Sequence, residues 1–358
     1  MVRFSDIIKD REKKEPSKES TPARAEDEDL MLTDSQILKV MSDTQILKVR
    51  GKKASPGPSF REEWSQEVHE YYEKLTERVI DVRGRVRHEQ GISPSPILSD
   101  LHYILNRDLV DKLYEYAMFA PADSDWLPVH SVHVMLITLI LGQGMGYDIK
   151  MLLKLGLAAF LENVGMYKIP ESVVEKRGGL DDNEMAIIRE HPKKSYEILD
   201  DMGERYRWLA EVAVQVHERT DGSGYPYGLK GGEIYELSSV IGLTDVYVAM
   251  TSDRPYRDKM VQTDAIKHIV EKAKGEFPAK IRKVFLDRIS LFPVNTYVRL
   301  NNKSIGRVIS TDKQQPLRPT VELLYDSTGG KMESREVVRL AENPLLYINE
   351  SIHERDLP

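Results

Sequence analysis

The chain has 358 residues, enough for two or three folded units with a well-buried core. Its 51 Lys+Arg against 58 Asp+Glu give a net charge of -7, which excludes a global positive field that would gather nucleic acid non-specifically. Cysteine is absent, so disulfides, thiolate metal sites and cysteine nucleophiles are excluded, and any metal must be held by His, Asp, Glu or Asn.

Residues 1–58 are dominated by Lys, Glu, Asp, Ser and Pro and are expected to stay disordered, because they bury too little apolar surface to offset chain entropy. The opening Met-Val-Arg-Phe-Ser-Asp mixes charge with its few apolar residues and offers no h-region, so it is not read as a secretory signal and a cytoplasmic location is expected. Asp34-Ser-Gln-Ile-Leu-Lys-Val40 recurs nine residues later as Asp43-Thr-Gln-Ile-Leu-Lys-Val49; a two-copy repeat is too short to build a fold, and no role is assigned to it.

An N-terminal helical region is expected over 59–122. Trp64, Val68, Tyr71, Tyr72, Leu75, Val79 and Ile80 recur at three- and four-residue steps, giving one amphipathic helix, and a second follows Pro94-Ser-Pro96 as far as Tyr116. Trp126 to Tyr147 carries no Asp, Glu, Lys or Arg, but Pro128, His130, His133, Gln143 and three glycines interrupt it. It reads as a buried core helix rather than a membrane span. Further helical patterns occupy 149–163, 181–200, 203–217, 231–251, 261–273 and 278–287. After Pro293 short alternating segments separated by turn residues predict a small antiparallel sheet within 289–345, followed by a tail over 346–358. The expected class is mainly α, a helical bundle with a C-terminal antiparallel β element.

The segment richest in chemistry is His217-Glu-Arg-Thr-Asp-Gly-Ser-Gly-Tyr-Pro226, followed by Gly228-Leu-Lys-Gly-Gly-Glu233. Its glycines permit an exposed loop anchored by Tyr225 and Pro226, and such loops usually bind something. Asp245 lies in an otherwise apolar helix, where a carboxylate calls for a partner or a metal. Ser252-Asp-Arg-Pro-Tyr-Arg257 offers two guanidinium groups, Arg254 and Arg257, suited either to phosphate or to pairing with Asp253 and Asp258. His133 reads as a core histidine.

These two strings resemble those of the HD-GYP family, a subdivision of the HD phosphohydrolase superfamily, over about residues 123–288. The resemblance implies a helical domain that binds divalent metal, commonly iron or manganese, and acts on the bacterial messenger cyclic di-GMP. It also implies metal ligands at His130, His191, His217 and Asp245, with Gly224, Tyr225, Pro226, Arg254 and Arg257 as substrate contacts. The name-giving dyad departs from the family: Glu162 and Asn163 stand where it has His and Asp, Met166 where it has Lys, and Val216 where it has the first histidine of a pair. Trp126 stands where some members carry an acidic residue.

Glu162 completes a first site with His130 and Asp245, while the second keeps only His191, His217 and the neutral Asn163. At most one divalent ion, iron or manganese, is expected, and none is an open alternative. Glu218 and Asp221 are expected to cap turns and orient His217. Three functional readings follow. The first is a protein that binds cyclic di-GMP, or another signalling protein through the Gly-Tyr-Pro loop, with little or no hydrolysis. The second is a metal-dependent phosphodiesterase that uses Glu162 as a substitute ligand. The third is a nucleotide-free scaffold. Neither a nucleic acid polymer nor a membrane is expected as a partner.

Overall fold

The computed structural model describes residues 65–119, 125–252, 259–311, 315 and 317–358. The expected disordered tail with its duplicated segment, and the Arg254 and Arg257 pair, lie outside these residues.

Helix α1 (Gln66–Arg87) buries Val68, Tyr72, Leu75 and Val79 of the predicted stripe together with Val82 and Val86, while Ile80, placed on that stripe, is exposed. The helix expected after Pro94 is in fact two, α2 (Pro94–Asn106) and α3 (Val110–Phe119). They part at Asp108, which takes a left-handed φ of 52°, a conformation Asp tolerates better than most side chains. Asp100 on α2 is buried between Lys74 at 2.6 Å and Arg78 at 3.1 Å, which fastens α2 to α1.

Helix α4 (Trp126–Gly144) is buried on every face, and 83% of its most apolar window lies inside the fold. It packs against α1, α3, α5 (Ile149–Leu161), α10 (Glu236–Thr251) and α12 (Ala279–Arg288), so its apolar run is spent on protein neighbours. Between α5 and α10 come a short turn at Val164–Lys168, then α6 (Glu171–Val174), α7 (Asp182–Arg189), α8 (His191–Asp200) and α9 (Arg207–Val214). Helix α11 (Gln262–Lys267) and a π turn precede α12.

Two sequence expectations change here. The helix predicted over 181–200 breaks at Glu190, because Pro192 has no N–H to continue the ladder back to Ile188. The helix predicted from 231 begins at Glu236, since Gly231, at φ 50°, and Gly232 form a separate short turn with Glu233. One apolar core runs from Val68 to Ile289, so α1–α3 belong to the same helical body as the helices that follow.

The sheet comprises β1 (Tyr297–Leu300), β2 (Ile305–Ser310), β3 (Thr320–Tyr325), β4 (Lys331–Arg339) and β5 (Ile348–Ile352), in the order β4-β3-β2-β1-β5, with every pair antiparallel. Val298, Leu300, Val308, Val321, Leu323, Val338 and Leu340 form its own core. Strand β5 lies in the stretch expected to be a tail. Its Ile-Asn-Glu-Ser-Ile sequence carries no alternation, and its place is set by hydrogen bonding along β1. Asn295, just before β1, donates from Nδ2 to the Met118 carbonyl at 2.8 Å and so ties the sheet to α3.

Candidate metal centre

His130, on the second turn of α4, and Asp245, in the middle of α10, face each other because these helices pack closely; Thr138 and Thr244 meet between them at 2.6 Å. His130 Nε2 lies 2.9 Å from Asp245 Oδ1, and both side chains are buried. The Trp126 indole meets the His130 ring edge to face.

Glu162 caps the end of α5, and the chain then turns tightly. Ser195 on α8 holds that turn, donating to the Glu162 carbonyl at 2.7 Å and accepting from Gly165 N at 2.9 Å. A Cβ at Gly165 would lie 2.0 Å from the His191 carbonyl, so only glycine lets this turn press against the start of α8. His191 is oriented by the helix break: the Ile188 carbonyl, which Pro192 cannot use, accepts from His191 Nδ1 at 2.8 Å. This fixes the proton on Nδ1 and turns the Nε2 lone pair inward.

Two sets of donor atoms converge, each with all its atoms within 4.8 Å of one another: His130, Glu162 and Asp245, and Glu162, His191 and His217. Glu162 belongs to both. The sequence alone assigns Glu162 to the first site and leaves Asn163 with the second; in the structure the Glu162 carboxyl lies within reach of both donor sets. Asn163 donates from its amide nitrogen to Glu162 Oε1, so it steadies the carboxylate. The Glu162 carboxyl also lies with the His191 and His217 donor atoms, giving that pair a candidate carboxylate.

His191 Nε2 and His217 Nε2 stand 2.8 Å apart. Two imidazole nitrogens bound side by side to one cation are separated by about 3 Å, given metal–nitrogen distances of about 2.1 Å. Three imidazoles and two carboxylates, all buried, form a donor set suited to a borderline or hard divalent ion, so the residues fit such a group.

The loop after α9 covers His217. The Tyr225 ring stacks on the His217 ring, with centroids 4.9 Å apart and planes within 6°, and Tyr225 N donates to the His217 carbonyl. Glu218 clasps the loop by accepting from Tyr227 N at 2.6 Å and Leu229 N at 2.9 Å, while Asp221 accepts from Ser223. Gly224 is packed on backbone: a Cβ there would lie 2.4 Å from Arg219 N. The Tyr225–Pro226 bond is cis. Burial, then the Asp245 charge, pushes the Tyr225 phenol up, while Arg219 and Arg189 pull it down.

Two residues that sequence reasoning missed lie close to this loop. Arg219 is largely buried, donates to the Val216 and Glu218 carbonyls and lies 3.5 Å from Glu276. Arg189, at the end of α7, stands over the Tyr225 ring. The Arg219 guanidinium stood in the quoted string as one residue among ten; nothing local marks Arg189, whose contact spans 36 positions. His133 is a core histidine as expected: it meets the Tyr72 hydroxyl at 3.0 Å, and burial, with a smaller push from His130, brings its pKa down to about 4.

A family profile described as an HD domain matches residues 124–281, and one described as a KOW domain associated with an HD domain matches residues 297–358. A cyclic di-GMP phosphodiesterase of Pseudomonas aeruginosa is 28% identical over 243 residues, 65% of this chain and 58% of that protein. The cyclic di-GMP phosphodiesterase PdeB of Borreliella burgdorferi is 29% identical over 196 residues, 55% of this chain and 52% of its own. A 3'3'-cGAMP-specific phosphodiesterase of Vibrio cholerae is 32% identical over 131 residues, 36% of this chain and 25% of that protein. The chain thus spans little more than half the length of the first two relatives. Residues 124–281 thus form an HD domain, and the cyclic di-GMP phosphodiesterases among the relatives, with the Gly-Tyr-Pro loop stacked on His217, support the resemblance to the HD-GYP family.

Proposed function

We propose that this chain receives cyclic di-GMP at a divalent-metal centre formed by His130, Glu162, His191, His217 and Asp245, and hydrolyses it slowly or not at all. The ligand is taken from the names of its relatives, and iron or manganese from the family resemblance. The observation that carries low turnover is Met166, a buried thioether in the turn after Glu162 where the resemblance places a lysine. A thioether offers no charge to a phosphate.

When bound, divalent ions supply Lewis-acid stabilisation of phosphoryl oxygens. The chain's own residues do the rest. Glu162 and Asp245 contribute the negative charge that holds cations, Asn163 and the Ile188 carbonyl orient the donors, and Tyr225 roofs His217.

One observation favours the second reading, a working phosphodiesterase: the presence of Glu162 in both donor sets, which restores a shared carboxylate despite the neutral Asn163. Incubating manganese- or iron-loaded protein with cyclic di-GMP and separating the products by chromatography distinguishes the two. Recovery of intact nucleotide is expected; turnover of about 1 s⁻¹ or faster, ordinary for enzymes, supports the hydrolase.

A further inference from the structure

Arg189 ends α7 and is exposed, with its guanidinium carbon 5.4 Å from the centre of the Tyr225 ring. The same ring stacks on His217, so His217, Tyr225 and Arg189 form one continuous stack that leads from a metal-ligating imidazole out to solvent. The adjacent carbonyl, that of Ile188, orients His191. One helix end therefore places a ligand imidazole and a guanidinium beside the same loop.

Among the described residues no carboxylate or carbonyl accepts a hydrogen bond from Arg189. Glu184, on the same helix, is taken by Lys176 at 2.6 Å. A guanidinium lying on an aromatic face keeps its in-plane N–H donors directed outward, an arrangement matched to phosphate oxygens. The site meanwhile lacks a cation where Met166 stands.

We propose that Arg189 is a ligand-binding residue: held on Tyr225, it contacts a phosphate of the bound cyclic dinucleotide and supplies the positive charge that Met166 does not. This rests on the nucleotide reading above. A purely structural stack is available for comparison in the same molecule, since Arg205 lies 5.7 Å over the Tyr206 ring beyond the far end of α8 from His191.

The test is titration calorimetry of cyclic di-GMP into manganese-loaded wild type, Arg189→Ala, Arg189→Lys and Arg205→Ala, with metal content and thermal unfolding measured on each. Loss of a charge-assisted phosphate contact is expected to weaken Arg189→Ala about tenfold or more, with Arg189→Lys intermediate and Arg205→Ala like wild type. Metal content and unfolding temperature of Arg189→Ala should stay at wild-type values, because the residue is exposed and ligates nothing. Binding by Arg189→Ala within about twofold of wild type overturns the role of Arg189 while leaving the nucleotide reading intact. Weakened binding accompanied by lost metal makes Arg189 a structural support and also overturns it. A wild type that binds no cyclic di-GMP overturns the nucleotide reading, and this inference with it.

Discussion

Glu162 carries the most consequence of any single residue, because both donor sets pass through its carboxylate. Removing its charge with Glu162→Gln should therefore deplete metal more than His130→Ala or His217→Ala, each of which takes one donor from one set. Elemental analysis of the three purified variants checks this, and equal depletion would show that Glu162 serves a single set. His133 makes a second prediction at this scale. Its pKa of about 4 in the folded state lies below the ordinary 6.5, so on acidification the unfolded chain takes up a proton that the folded chain refuses. Stability should fall as pH drops from 6.5 toward about 4, by up to about 3 kcal/mol for this one group. His133→Gln, which cannot titrate, should flatten that part of the pH profile in urea melts; an unchanged profile contradicts the assignment. The motif context names His130, His191, His217 and Asp245, while Glu162 and Asn163 enter only as departures from it. The sharing of Glu162 was hidden because it depends on where the turn after α5 lies against α8.

At the scale of elements, what was legible was long and one-sided. Helices α1 and α4 announce themselves, the first by a three-and-four-residue apolar stripe and the second by its uncharged run. The breaks that build the site were not legible. Pro192 ends one helix and starts another, yet its effect, a carbonyl released to hold His191, is a three-dimensional consequence of one missing N–H. Strand β5 exists because β1 offers an open edge, and its own residues do not alternate. The close contact between the turn at Gly165 and α8 makes a prediction here. Gly165→Ala would place a methyl 2.0 Å from the His191 carbonyl and 2.5 Å from Ser195 N, both backbone atoms that cannot step aside. The variant should lose about 2–4 kcal/mol in denaturant unfolding and should hold metal less well, since Glu162 and His191 move apart. Wild-type stability would mean that the turn is looser than described.

Across the whole molecule, one core joins the N-terminal helices to the site helices, with Tyr72 on His133 as a polar link between them, while Asp100 between Lys74 and Arg78 ties α2 to α1. Asp100→Ala leaves those two cations without their buried carboxylate. Because Lys74 and Arg78 are themselves partly exposed, the expected cost is about 2 kcal/mol rather than that of a fully buried pair, and thermal unfolding should register it as one cooperative transition moved to lower temperature. A separate early transition would mean that α1–α3 unfold independently. Cyclic dinucleotide binding is expected to require metal held by Glu162 and its neighbours. Titration calorimetry with cyclic di-GMP on three samples tests it most directly: manganese-loaded wild type, wild type stripped by a chelator, and Glu162→Gln. Saturable binding by the loaded wild type that is lost or greatly weakened in the other two is the predicted result; no binding by the loaded wild type, or equal binding by all three, would contradict the account.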